Sequence, residues 1–250
     1  MENELVSIIM PSYSSAPFIA DAIRSTLRQT YPHWELLITD DASTDDTLVV
    51  VQPFVERDPR VRLFQLTENG GVAAARNHAI GHARGRYLAF LDSDDCWHPE
   101  KLEKQLLFMR QQDHAFTFTA YQLMNSDGQI LDKTIQIPPQ IDYKQYLKNT
   151  VIGCLTVMLD RKRVGEVRFP AMRTSQDMAL WLRILRKGFT AYGLGDTLAY
   201  YRLNPHSNSA DKLKAACDVW RVYRDSEKLS WHFALYNFMG YAWRAIRKRL

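Results

Sequence analysis

The stretch RYLAFLDSDDCWHPEKL, residues 86–102, begins as an apolar run with the length and composition of a buried strand. It then passes without a spacer into Asp92, Ser93, Asp94 and Asp95. Crowded carboxylates raise one another's pKa and cost stability unless a cation neutralises them or they serve as solvated caps and turns. Both readings are open for this segment taken alone. Asp92 and Asp95 suit Asx turns, or a cap for the helix that Pro99 and Glu100 open, and Asp92 with Asp94 suits a bound cation. Side chains two apart on an extended segment point the same way, which would turn Asp92 and Asp94 outward together and Ser93 back.

Working outward, the segments before this one alternate between two periodicities. LVSIIM (5–10) is a β-branched apolar run that Pro11 is expected to stop. Phe18, Ile19, Ala22, Ile23 and Leu27 then recur at helical spacing. The cycle repeats with strand ELLIT (35–39), a polar DDASTDD turn, a helix from Thr44 to Val55, and strand VRLFQL (61–66). Gly70-Gly71 precedes a helix through VAAARNHAIGHA, and the opening strand follows. Such βαβα alternation predicts an α/β fold with a mixed, mostly parallel sheet flanked by helices, in which ligands bind beyond the carboxyl ends of the strands. Both acidic clusters, Asp40-Asp41 and Asp92 to Asp95, fall there. The second half is less regular. It predicts a meander over 115–137 about a Ser126-Asp127-Gly128 turn, strands at 151–159 and 198–203, and a helix from Gln176 to Lys187. The organisation expected is one domain over 1–210, with halves 1–110 and 111–210, and a helical extension over 211–250.

Composition bounds the class. With 250 residues, 46% hydrophobic and 24% charged, the chain can bury a real core. Three widely spaced cysteines, Cys96, Cys154 and Cys217, make neither a disulfide framework nor a CxxC metal site, so a reducing, cytoplasmic setting is expected. No stretch approaches the roughly 20 apolar residues of a spanning helix. The net charge of +4 is matched by the four cations of RAIRKRL (244–250), so the rest is balanced and a nucleic-acid-binding face is not expected.

Four pieces in order, VSIIMPSY, LLITDDASTDDT, NGGVAAARN and GRYLAFLDSDDCWHPEKL, resemble the family 2 glycosyltransferases of the GT-A fold. The later stretches NTVIGCLTVMLD, RTSQDMALWLRILRKG and LAYYRLNPHSNSADKL are similar to the teichuronic acid biosynthesis subgroup. The resemblance implies an inverting, metal-dependent transfer from a nucleotide-sugar, a UDP-sugar by preference, to a glycan or lipid-linked acceptor in surface polysaccharide synthesis. It implies that Asp92 and Asp94 hold Mg²⁺ or Mn²⁺, with Ser93 beside the donor. Asp41 would accept from the N3–H of uracil, Pro11, Ser12 and Tyr13 would pack around base and ribose, and Arg76 would touch the diphosphate. Asp177 matches the catalytic base. Gln176 stands where many members have Glu, and the region of Asn204 and His206 is where a further metal or phosphate contact is expected.

The residues leave other readings open. Arg76 also suits a solvated helix face, Asp41 a turn, and Asp177 the first turn of a helix, where the dipole favours an acid. A nucleotidyltransferase is the rival enzyme, although it would favour a Gly-rich loop where this chain has PSYSSAP. A catalytically silent nucleotide-sugar-binding protein is the rival from another class. If 229–250 is helical, Leu235, Met239, Ala242, Trp243, Ile246 and Leu250 share one side, with Arg244, Arg247 and Lys248 beside it. That pattern suits either an interfacial anchor on the inner face of a membrane or docking on this chain's core or a second subunit. Oligomeric state is open.

Overall fold

The computed structural model describes residues 4–203 and 212–247, with backbone alone for 212–214 and 244–247. The first half alternates as the periodicities require: β1 (Val6–Ser12), α1 (Ile19–Leu27), β2 (Trp34–Asp40), α2 (Thr47–Arg57), β3 (Val61–Gln65), α3 (Val72–Gly81) and β4 (Tyr87–Phe90). Then come β5 (Cys96–Trp97), α4 (Lys101–Gln111), β6 (Phe116–Met124), β7 (Ile130–Ile135), β8 (Gln140–Ile141) and α5 (Tyr143–Tyr146). A 3₁₀ turn (Cys154–Thr156), β9 (Met158–Asp160), α6 (Arg161–Val164), α7 (Gln176–Arg186) and β10 (Ala191–Arg202) follow. The extension is α8 (Lys212–Arg221), a π turn (Val222–Ser226) and α9 (Trp231–Arg247).

One sheet runs in the order β3-β2-β1-β4-β9-β6-β10-β5, with β7 beside β6 and β8 beside β10. The β3-β2-β1-β4 half is parallel throughout. Antiparallel pairs enter with β9, which joins β4 to β6. The period of two sorts each strand between two cores. Val6, Ile8 and Met10 face a cluster with Ile19, Ile23, Val51, Leu102 and Leu106, from α1, α2 and α4. Ile9, Leu88 and Phe90 face the other cluster, with α3, α7 and also Val219, Val222, Tyr223 and Ala234 from the extension. Helices therefore cover both faces of the sheet, as the alternation predicts.

Two expectations are corrected. Pro11 does not stop β1, which continues to Ser12 with Pro11 opposite Thr39. The β4 partnership ends at Ile9–Phe90, so no neighbour on that side needs the N–H that proline lacks. The strand expected over 151–159 is a 3₁₀ turn and the three-residue β9, because Thr156 and Val157 donate their N–H groups to local carbonyls, Gly153 and Cys154, instead of to a ladder.

Candidate active site

The mouths of β1, β2 and β4 open on one side, and the acidic clusters sit there. Asp40 is a turn holder: its two oxygens accept from the Ser43 N–H at 2.9 Å and from the Ser43 hydroxyl at 2.5 Å. Asp41 is buried and accepts from the backbone N–H groups of Gly70 and Gly71, each at 2.8 Å. Gly71 adopts φ +83°, which only glycine tolerates freely, and a Cβ on Gly70 would lie 2.8 Å from that of Ala74. The NGG turn is thus the seat of the Asp41 carboxylate and the launch of α3. A carboxylate has about four lone-pair sites, so two remain for a further donor. Ser12 is buried and shares a 2.8 Å hydrogen bond with the Ser15 hydroxyl, while Tyr13 stands exposed beside them.

The DSDD segment is not extended. The Asp95 N–H donates to the Asp92 carbonyl at 3.1 Å, so the four residues close a turn and the alternation expected from a strand does not apply. Ser93 is buried within it. The carboxylates remain crowded. Burial, then the Asp92 charge, pushes Asp94 up to about 6, with Arg202 and Arg76 pulling the other way. Burial followed by Asp94 and Asp92 raises Asp95 well above the ordinary carboxylate range.

Arg76 resolves the alternative posed for it, because it is a buried side chain. Its Nη2 donates to Asp92 Oδ1 at 2.6 Å, its guanidinium lies 5.1 Å from the Phe169 ring centre, and Nε and Nη1 are buried without a hydrogen-bond partner. Two buried donors without a protein partner are costly. Asn77, next along α3, grips the chain in both directions: its amide donates to the Phe169 carbonyl at 2.9 Å and accepts from the Phe169 N–H at 2.8 Å. That bidentate hook fixes the start of the loop that leads into Asp177.

Asp177 lies in the first turn of α7, after Ser175 in the left-handed region at φ 55°. It accepts from the Met178 N–H at 2.8 Å. Burial raises its pKa, the Arg76 cation and the Met178 bond oppose the rise, and Asp92 adds to it. Arg76 therefore acts electrostatically on both carboxylates, Asp92 in front of it and Asp177 across from it. Trp181 packs with Phe90, Phe116 and Phe169 and is fully buried, so it is core. Asn204 and His206 lie outside the described residues.

Arg202, which nothing in the sequence marked, ties the acidic turn down. Its N–H donates to Asp95 at 2.8 Å and its Nε to the Asp94 carbonyl at 2.7 Å, while Nη1 reaches the Ser126 carbonyl at 2.9 Å. Asn77 was equally silent, although it stands inside a quoted motif. A cleft of about 430 Å³ separates the Pro170–Thr174 loop, which leads into α7, from Asp218, Arg221, Asp225 and Ser226.

The family profile described as Glycosyl transferase family 2 matches residues 7–163. This chain belongs to that family. As a family 2 glycosyltransferase it is an enzyme, and it is 51% identical, over 98% of both chains, to a Bacillus subtilis (strain 168) protein. That protein carries the provisional name teichuronic acid biosynthesis glycosyltransferase TuaG. This chain is 41% identical, over 90% of its length and 87% of the other, to the Escherichia coli UDP-Glc:alpha-D-GlcNAc-diphosphoundecaprenol beta-1,3-glucosyltransferase WfgD. In fold it is similar to S. aureus TarS 1-349 solved in complex with UDP, with TM-score 0.69 and 20% identity over 95% of this chain and 70% of that one. It is also similar to the Pyrobaculum calidifontis mannosyltransferase PcManGT in complex with GDP-Man and Mn²⁺, with TM-score 0.70 and 20% identity over 90% and 64%. The GT-A fold expected from the sequence is the fold observed.

Proposed function

We propose that this family 2 glycosyltransferase is inverting and metal-dependent. It moves a sugar from a UDP-sugar to a glycan or lipid-linked acceptor in surface polysaccharide synthesis, on the cytoplasmic side of a membrane. The observation that carries the reading is Arg76, a buried cation with two unpaired donors between Asp92 and Asp177. The UDP-Glc donor and diphosphoundecaprenol-linked acceptor in the printed name of the E. coli relative support the same choice of substrates.

Asp92 and Asp94 fit a hard divalent ion such as Mg²⁺ or Mn²⁺. They offer carboxylate oxygens, and a cation would relieve the Asp92 charge that, after burial, helps push Asp94 up to about 6. Among the described residues no cluster of three or more His, Cys, Asp or Glu side chains could hold such an ion unaided, which leaves the rest of the shell to phosphate and water oxygens. When bound, the ion neutralises charge on the departing diphosphate. The chain's own groups do the remainder. The free Nε and Nη1 of Arg76 donate to the diphosphate. Asp41 accepts from the uracil N3–H with its remaining lone pairs, Pro11 and Ser12 close around the base and ribose with Tyr13, and Ser93 supports the acidic turn beside the donor. Asp177 accepts the proton of the acceptor hydroxyl as it attacks, from the 111–210 half, with the cleft under the Pro170–Thr174 loop taking the acceptor. A single in-line displacement by the acceptor hydroxyl inverts the anomeric carbon.

The reading is tested by incubating the enzyme with a panel of UDP-sugars and a GlcNAc-diphosphate lipid, with Mn²⁺ or with EDTA. It predicts a metal-dependent product of inverted anomeric configuration by NMR. A retained configuration, or transfer that survives chelation, would contradict it.

A further inference from the structure

Helix α9 is apolar on two opposite sides. Its inner side is used: Ala234 and Asn237 are buried, Phe238 packs 5.6 Å from Trp220, and Tyr241 lies against the core. Its outer side is used only in part, where Trp231 meets Trp220 and Tyr236 meets Lys148. Trp231 is 55% exposed, Tyr236 55%, Met239 56% and Trp243 67%. At about 100° per residue Tyr236, Met239 and Trp243 fall within about 60° of one another, opposite the buried set, while Trp231 sits at the edge of that set beside Phe238. Several of the other exposed large apolar side chains, Val49, Leu107 and Ile130, are scattered singly over other elements and need no partner. The stripe read from the sequence therefore points outward in its described members Met239 and Trp243, while Leu235 and Ala242 are half-buried. Ile246, Leu250 and the basic side chains lie outside the described side chains.

Charge says what covers this face. From Trp231 to Leu250 the sequence has no Asp or Glu and carries Arg244, Arg247, Lys248 and Arg249. Lys148 adds a cation at the same face, donating to the Tyr236 hydroxyl at 3.1 Å and lying 4.2 Å from its ring centre. A second copy of the chain would bring its own Lys148 and the same acid-free, cation-rich sequence against this one and be repelled, whereas an anionic surface would be attracted. Tryptophan and tyrosine flanked by lysine and arginine are the side chains that settle at the level of lipid headgroups. No helix among the described residues is long and apolar enough to cross a membrane, so contact here is with the surface.

We propose that the outer face of α9 docks in the plane of an anionic lipid bilayer. The docked helix is tied to the site. Trp220 of α8 stacks edge-on at 6.2 Å against Trp231, and the neighbouring Asp218 and Arg221 wall the cleft under the Pro170–Thr174 loop that leads into α7. The inference deepens the lipid-linked acceptor reading, but docking needs neither donor nor acceptor, so the two can fail separately.

The test is flotation of the full chain with vesicles containing phosphatidylglycerol, or of phosphatidylcholine alone, at low and high salt, alongside calorimetric UDP binding. The wild type is expected to float with the anionic vesicles and to be released by salt. The double variant Met239→Ser/Trp243→Ser should bind them at least about tenfold more weakly, consistent with the apolar area lost, while UDP binding is unchanged. Arg247→Glu with Lys248→Glu should remove the preference for anionic lipid. Failure of the wild type to float, or equal flotation of wild type and both variants, would overturn the proposal. A concentration-dependent dimer in light scattering that the Met239→Ser/Trp243→Ser pair dissolves would assign the face to a second copy and overturn it as well.

Discussion

At the scale of the residue, Asp177 as the proposed base joins two opposed demands. A general base must be ionised at working pH, and burial resists that ionisation. Arg76 is the buried cation that offsets the cost, which gives it a role beyond the donor contact expected from the sequence. Asp177→Asn keeps the shape and removes proton acceptance. It should bind UDP and Mn²⁺ as the wild type does and transfer about 10²–10⁴-fold more slowly, in a single-turnover assay with saturating donor. The pH profile follows from the direction of the shift. A base with a raised pKa is active above that value and fails as pH falls through it. With donor and metal saturating, the acid limb of kcat/KM for the acceptor should therefore lie above the ordinary aspartate value of about 3.9. A limb at or below that value would remove Asp177 as the base.

At the scale of the element, helix α3 and strand β10 assemble the site from a distance. Asn77 fastens Phe169, and through it the loop into α7, to the helix that carries Arg76. Arg202 at the end of β10 fastens the acidic turn. Asn77→Ala should leave two backbone groups of Phe169 unpartnered, costing about 1–3 kcal/mol in denaturant unfolding. It should lower kcat more than it weakens UDP binding, because the base loop loosens while the donor loops do not. The parallel half of the sheet was legible because period-two strands and period-3.6 helices alternate with short connections there. For the acidic segment the sequence left a turn and an extended pair both open, and the Asp95-to-Asp92 bond that closes the turn decides between them. Arg202 could not have been found by pattern: its partners Asp94, Asp95 and Ser126 lie far away along the chain, and only the pairing of β10 with β6 and β5 brings them near.

At the scale of the whole molecule, the carboxylates at the sheet's mouth make stability depend on pH and on ligand. Asp94, Asp95 and Asp177 all have folded-state values raised above those of an unfolded chain, near 3.9. The folded form then binds more protons than the unfolded one, so without ligand this part of the stability falls as pH climbs from about 4 through the Asp94 value of about 6. A cation that relieves the crowding should add more at pH 8 than at pH 5, and thermal unfolding with and without Mn²⁺ and UDP measures the difference. At ligand concentrations near 100 times Kd the gain should approach about 2.7 kcal/mol. A stabilisation that is the same at both pH values would mean that the acidic turn is not where the ion binds. The most direct test of the donor site is calorimetric titration of UDP, GDP and CMP into the purified chain, first with Mn²⁺ and then with EDTA. The account predicts UDP binding that exceeds the other two and disappears on chelation. Weak binding of all three alike, with or without the metal, would contradict it.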